Sequence, residues 1–378
     1  MPHPTLRTPL CDQLGIEYPI VLAGMGLKGR ATPPELVAAV SEAGGLGVMG
    51  CSWMPPEEVG RRIRRVRELT AKPFGVDLLL PASMDARAAS DWSAMRALIK
   101  REYPRHVAFR DALAAEHGLP AVLPPASEVL APDAIRACVE VVLEERVPVF
   151  AAGLGDPAWM VPAAHRAGVT VMGLAGSLRH AERHRLAGVD YVIAQGTEAG
   201  GHTGTVTSLI LWPQVVDAVH PLPVIAAGGI GDGRGLVAAL ALGCVGAWVG
   251  TAFLMARECR IHEEHKRQIA GAGSEDFVVT RAYTGKTGRD FRNEVIRRWE
   301  ESGLEPLAMP LQSLLMEDLV EAARVARRFD LVNNSAGQVG GMLSQIRPAR
   351  EIFAGIVAGA EEALESLAAR GRSPAASR

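Results

Sequence analysis

Eight short apolar runs recur along the chain: Ile20–Ala23, Leu46–Met49, Phe74–Leu78, Val147–Ala151, Val169–Gly173, Tyr191–Ala194, Val224–Ala227 and Val245–Val249. Rich in β-branched residues and apolar on both faces, they read as parallel strands covered on both sides. Segments of helical pattern separate them. Thr32-Pro33-Pro34-Glu35 has the form of a capping box with proline at the first helical position, and Gly44 stands where that helix should stop. Asp156-Pro157 and Asp232 are comparable helix starts. The charge run Arg61–Arg67 alternates with Ile63 and Val66, which predicts the wet side of an amphipathic helix. Strands alternating with helices imply a parallel α/β sheet, and eight such units imply closure into a (β/α)8 TIM barrel. An open, doubly wound sheet is the alternative architecture.

Two regions exceed a minimal barrel. Residues 81–132 form an insertion after the third strand, with a polar helical piece (Asp85–Glu116) followed by a proline-rich stretch (Leu119–Pro132). The insertion falls on the side where barrel active sites form. Residues 257–341 mix charged helical runs with Gly/Thr turns such as Tyr283-Thr284-Gly285-Lys286, and are expected to pack over the barrel mouth before a last helix, Pro348–Ala369. Residues 371–378 read as a disordered tail. One domain over the 378 residues is the expected organisation, because barrels routinely use this much chain.

Composition narrows the class. The chain is 48% hydrophobic and 22% charged with a net charge of -2, ordinary for a soluble enzyme and without attraction to nucleic acid or anionic membranes. The uncharged stretch Leu236–Ala256 is long enough to span a bilayer. Gly243, Gly246 and Gly250 interrupt it, so it reads as a buried helix (Gly233–Leu242), a turn and a strand. The five cysteines, Cys11, Cys51, Cys138, Cys244 and Cys259, form no C-x-x-C pair. Reduced thiols and the lack of a leader pattern at the N-terminus point to the cytoplasm. The oligomeric state stays open, a homodimer included.

Candidate chemistry clusters after the last three strands. The seventh run leads into Gly228-Gly229-Ile230-Gly231-Asp232-Gly233, and the eighth into Gly250-Thr251. Barrels commonly bind phosphate on these two loops, where backbone N–H groups and a helix N-terminus converge. The same glycines would also serve plain tight turns. The sixth run ends in Gln195-Gly196-Thr197-Glu198-Ala199-Gly200-Gly201-His202, placing an amide, a carboxylate and an imidazole at the catalytic face. Histidine moves a proton near neutrality without extreme tuning.

Other motifs are set aside. Gly24-Met25-Gly26-Leu27-Lys28-Gly29 matches G-x-G-x-x-G, yet the next run ends in Met49-Gly50-Cys51 with no acid for a ribose. His180 and His184 are expected on a solvated helix face. His262-Glu263-Glu264-His265 fails the zinc pattern, since position 266 is lysine. No metal site is expected.

With these residues in view, the chain resembles the nitronate monooxygenase (2-nitropropane dioxygenase) family of FMN-dependent barrel enzymes. Ala194-Gln195-Gly196-Thr197-Glu198-Ala199-Gly200-Gly201-His202 is similar to that family's central motif. Pro223–Ile230 with Gly250-Thr251-Ala252-Phe253 is similar to its phosphate region, and Gly44–Gly47 and Pro73–Leu78 resemble two further stretches. The resemblance runs from about Pro19 to Phe253, with weaker echoes beyond, such as Tyr283-Thr284-Gly285-Lys286. It implies that Gln195 contacts the flavin, that Gly200, Gly201, Gly228, Gly229, Gly250 and Thr251 surround the FMN phosphate, and that Ala23, Gly24 and Met25 approach the ring. His202 would be the catalytic base. Two positions depart from the family's usual residues: Asp77 stands near the flavin where asparagine is frequent, and Gly24-Met25 replaces a frequent Pro-Met.

The implied activity is oxidation of an alkyl nitronate or nitroalkane, with oxygen as co-substrate, to a carbonyl compound and nitrite. An alternative on the same scaffold is an NAD(P)H-dependent reductase of quinones or enoyl thioesters, because FMN-dependent enoyl-acyl-carrier-protein reductases resemble the Glu-Ala-Gly-Gly-His stretch. A non-redox lyase or isomerase binding a phosphorylated substrate is the alternative of another class.

Overall fold

The computed structural model describes residues 4–26, 29–80, 92–122 and 132–372. All eight apolar runs form parallel strands: β1 (Ile20–Leu22), β2 (Gly47–Gly50), β3 (Phe74–Leu80), β4 (Val149–Gly155), β5 (Thr170–Ala175), β6 (Tyr191–Gln195), β8 (Val224–Ala227) and β9 (Gly246–Val249). A two-residue strand, β7 (Gly201–His202), interrupts the count after β6. Neighbours in the sheet run β1-β9-β8-β6-β5-β4-β3-β2. The ends meet: the Leu22 N–H donates to the Leu46 carbonyl at 2.9 Å, and the Leu46 N–H donates to the Ile20 carbonyl at 3.0 Å. The sheet is therefore a closed (β/α)8 barrel and not an open sheet.

Strand residues alternate between two packed layers. Val21, Val48, Val149, Ala151, Ile193, Ile225 and Trp248 belong to the cluster that fills the barrel. Ile20, Leu22, Val76, Phe150 and Val192 belong to a second cluster shared with the surrounding helices. Leu236–Ala256 resolves into the helix Gly233–Ala241, strand β9 and the short helix Thr251–Leu254. Among the described residues, no helix is long and apolar enough to cross a membrane.

Thr32 corrects the expected capping box. Pro33 is the N-cap of the helix Pro34–Glu42 and no side chain caps it. The buried Thr32 hydroxyl instead donates to the Met25 carbonyl (3.0 Å) and accepts from the Gly50 N–H (2.8 Å), tying the loop after β1 to the end of β2. At Asp156-Pro157 the carboxylate accepts from the Ala158 N–H at 2.9 Å, and the helix proper begins at Val161. Asp232 does cap the helix Gly233–Ala241, accepting from the Arg234 N–H at 3.0 Å.

The two extra regions pack on each other. The expected helical piece becomes two helices, Trp92–Glu102 and Pro104–Glu116, divided at Tyr103 because the residue before proline leaves helical geometry. Residues 81–91 and 123–131 lie outside the described residues. Ile99 and Leu113 share a third apolar cluster with Tyr283, Trp299, Leu314, Leu319 and Val332 from the C-terminal region. Arg110 pairs with Asp318 (2.7 Å), Arg96 with Glu317 (2.9 Å), and Phe109 meets Trp299 edge-on at 4.9 Å. Strands β10 (Phe277–Thr280) and β11 (Gly288–Phe291) continue into β7 as a three-stranded antiparallel sheet beside the barrel mouth. A last helix, Ala349–Arg372, packs against Gly233–Ala241, and residues 373–378 of the expected tail lie outside the described residues.

Candidate active site

A cavity of about 390 Å³ opens where the barrel strands end, within the size range of cofactor and substrate sites. Ala23, Gly24, Met25, Asp77, Gln195, Gly200, Gly201, His202, Gly228, Gly229, Gly250 and Thr251 all line it. These residues come from β3 and β6 themselves and from the segments after β1, β6, β8 and β9, so only barrel closure brings them together.

His202 does not sit in a free loop. It is paired in β7, with His202 opposite Gly288 and Gly201 opposite Arg289 of β11. The Gln195 amide Nε2 donates to the His202 carbonyl at 2.7 Å, fixing the histidine backbone to the end of β6. Its imidazole Nε2 lies 3.4 Å from the Thr284 hydroxyl, a weak contact that leaves the ring accessible to a cavity occupant. Burial, and then the nearby Lys286 ammonium, push its pKa down to about 4. The imidazole is therefore neutral at pH 7, the state a general base needs.

Asp77, in β3, is the opposite case. It is buried, and burial alone pushes its carboxyl up to about 8, with no cation of the described residues to offset it. No hydrogen bond from its side chain occurs among the described residues. A Cβ at Gly24 would lie 2.2 Å from Asp77 Cβ, so glycine there is what lets the first loop cross the carboxyl. The ladder to β4 shifts between Leu78 and Leu79, and the Leu79 N–H donates to the Ser52 hydroxyl at 2.9 Å. Two residues apart on one strand, Asp77 and Leu79 face the cavity together, and the residue the ladder skips on β4, Gly153, lines it as well. A neutral imidazole and a protonated carboxyl in one cavity form a base and an acid with their pKa values driven apart.

Several glycines leave room that the protein's own packing does not use. A Cβ at Gly201 would meet nothing within 4 Å, one at Gly229 nothing nearer than 3.7 Å, and one at Gly250 nothing nearer than 3.5 Å. Gly228 and Gly229 adopt φ of 86° and 70°, which exposes their backbone in a way L residues resist. The Thr251 hydroxyl accepts from the Gly337 N–H at 2.9 Å, leaving its own proton to donate. Beside them lie the apolar walls of Ala23, Leu174 and Trp248. An anion cradle next to an apolar slot fits a flat, phosphate-bearing cofactor. The N-terminus of the helix Gly233–Ala241 is capped by Asp232 away from the cavity, whereas the short helix Thr251–Leu254 begins in it, with Gly250 and Thr251 in the lining.

Other residues change role. Glu198 reaches the cavity, but its carboxylate accepts from the Ser208 N–H (3.0 Å) and hydroxyl (2.8 Å), bracing the start of the helix Ser208–Val219. His184 is not on a solvated face. It is buried, its Nε2–H donates to the Leu174 carbonyl at 3.0 Å, and it packs under Gly173, where a Cβ would lie 2.5 Å from its ring. Among the described residues, no three His, Cys, Asp or Glu side chains come together as metal ligands. Sequence reasoning missed Thr284, Asn333, Ser335, Gly337 and Val339, which line the cavity from the C-terminal region. It also missed Trp53, which lines the cavity at a strained φ of 72°. The expectation that residues 257–341 pack over the barrel mouth, with the Tyr283-Thr284-Gly285-Lys286 echo inside it, pointed to this wall without naming its lining residues. Tyr283 anchors that turn, its buried hydroxyl donating to the Leu331 carbonyl at 2.9 Å.

Fold and site together define a barrel oxidoreductase. The chain belongs to the nitronate monooxygenase family, whose model matches residues 7–359. It is 37% identical over 369 residues to a Mycobacterium tuberculosis protein with a provisional monooxygenase name (93% of this chain, 96% of the relative). It is 32% identical over 359 residues to a Staphylococcus aureus protein named as a probable nitronate monooxygenase (92% and 96%). Among solved structures, it is similar to nitroalkane oxidase from Streptomyces ansochromogenes, with 31% identity and a TM-score of 0.80 over 95% of this chain and 99% of that one. FabK from Thermotoga maritima shares 33% identity with a TM-score of 0.75 over 96% and 99%. Membership in this family of flavin oxidoreductases excludes the non-redox lyase or isomerase reading.

Proposed function

We propose that the chain binds FMN in the 390 Å³ cavity and oxidises an alkyl nitronate, or a nitroalkane first deprotonated by His202. The reading is carried by the neutral, half-buried His202 imidazole facing the same cavity as the glycine cradle. When bound, FMN would supply two-electron redox chemistry between substrate and oxygen, so that nitronate, oxygen and water give a carbonyl compound, nitrite and hydrogen peroxide. Gly200, Gly201, Gly228, Gly229, Gly250 and Thr251 hold its phosphate. Ala23, Gly24, Met25, Asp77 and Gln195 surround its ring. His202 removes the proton next to the nitro group, and the protonated Asp77 presents a neutral O–H to the bound molecules. The crossing loops tied by Thr32 exclude water from that side.

Anaerobic mixing of the purified protein with an alkyl nitronate, and separately with NADH and NADPH, tests the reading. Rapid loss of flavin absorbance with nitronate alone is expected. Bleaching by reduced nicotinamide but not by nitronate would replace it with the NAD(P)H-dependent reductase, a reading the likeness to FabK keeps in view.

Gly250→Ala tests the cradle. The backbone there has φ -106° and the added methyl would find only ordinary contacts, at 3.5 Å from Ala23 Cβ and Met25 Sδ. The cofactor-free variant should melt within about 1 kcal/mol of the wild type, because no protein atom must move. Its FMN affinity should fall at least tenfold. Unchanged affinity would remove this loop from the phosphate site.

A further inference from the structure

A second cavity, of about 320 Å³, lies beside the first, and Asn333 lines both. Arg30, from the loop after β1, and Arg324, from the helix Leu311–Val325, converge on it with His262 and Phe329. The His262 ring stacks on Phe329, with centroids 3.5 Å apart and planes at 17°. His262 Nε2 lies 3.1 Å from Arg30 Nη1. Burial and then both guanidiniums hold this imidazole below its ordinary pKa, so it stays neutral and accepts from Arg30. Glu321 is the one acid of the lining, and it touches Arg324 only at 3.5 Å. Arg30 has no carboxylate partner among the described residues.

Two guanidiniums with one loosely held carboxylate leave positive charge uncompensated in a concave, partly aromatic site. Planar, multiply donating guanidiniums match phosphate oxygens better than any other side chain does. The wall between the cavities is firm: Asn334 Nδ2 donates to Gln268 Oε1 (2.7 Å) and to the Phe329 carbonyl (3.0 Å), and the Ser335 hydroxyl donates to Asp290 (2.6 Å). A molecule reaching past Asn333 would place one end in each cavity.

We propose that the Arg30–Arg324 cavity is a subsite for a phosphate group on the far end of a reactant whose reacting end lies in the main cavity. The chemistry the site recognises is a phosphate or diphosphate carried at the far end of an extended reactant. This rests on the proposed function only for the place of the reacting end, since the subsite needs no flavin.

Calorimetric titration of the holoenzyme with inorganic pyrophosphate tests the subsite. Binding to the wild type is expected, weakened about tenfold or more in Arg30→Ala and in Arg324→Ala, since a charge-assisted contact of about 1.5 kcal/mol corresponds to that factor. Arg267→Ala, an exposed partner of Glu264, is the control and should bind as the wild type does. No binding, or equal binding in all variants, overturns the proposal. The source of the phosphate is read from KM at constant kcat. A rise for NADPH but not NADH identifies the ribose phosphate, and a rise for an acyl-coenzyme A thioester identifies the carrier. If neither moves, the link to the main cavity is overturned. Nitronate oxidation that survives in both arginine variants keeps the proposed function separate from this outcome.

Discussion

His202→Asn is expected to lose activity on neutral nitroalkanes by about 10²- to 10⁴-fold, the usual worth of a positioned general base. Asparagine keeps a polar side chain of similar reach but takes no proton. The β7 pairing is made by the backbone, so the loop should hold and FMN should remain bound with its visible spectrum intact. Preformed nitronates need no deprotonation, and their oxidation should fall far less. The contrast between the two substrates is the diagnostic result. Because burial and Lys286 hold the imidazole near 4, the base is already available above about pH 5. The rate on neutral nitroalkanes should therefore show no ionisation near 6.5. Full activity of the variant on a nitroalkane would dismiss His202 as the base.

The alkaline side belongs to Asp77. Its carboxyl is raised to about 8, so it is protonated at pH 7 and ionises as pH passes through 8. The titratable side chain beside it is the Cys51 thiol, which burial holds neutral well beyond this range. A charge appearing next to the flavin would disfavour added electrons, so kcat/KM and the flavin potential should both fall above about pH 8. In Asp77→Asn the neutral form is permanent, and both alkaline limbs should vanish. Stability gives an independent reading. The folded pKa lies above the unfolded value of 3.8, so the unfolded chain ionises first, and native stability declines from about pH 4 up to about 8. Asp77→Asn removes that decline, and at pH 8 it should be more stable by an amount on the order of a few kcal/mol. An unchanged alkaline limb in the variant would assign the ionisation to another group.

What could be read along the chain followed from local rules. Each strand is a continuous apolar run because both of its faces are covered, and that pattern survives in the order of residues. The glycine loops were legible for a similar reason: a backbone that must be bare needs glycine wherever it folds. His202 was legible because it stands between such glycines at the end of a strand.

Roles set by distant partners were not legible. Thr32 has the form of a helix cap, yet its hydroxyl joins Met25 to Gly50, and nothing between positions 25 and 50 announces that bond. Glu198 looks catalytic but braces Ser208, and His184 looks solvated but lies beneath Gly173. The sheet carrying His202 pairs it with Gly288, across a sequence separation that no periodicity records. The same holds for Arg30 and Arg324, and for the third apolar cluster joining the two extra regions.

The sequence by itself determined the barrel, the end of it that carries chemistry, and the candidate residues, because burial on two faces and freedom of φ are demands each residue meets locally. Only the tertiary structure decided how burial shifts His202 and Asp77, which residues of the C-terminal region wall the cavity, and the second cavity. Desolvation and charge act through space, and they exist only once distant segments have packed together.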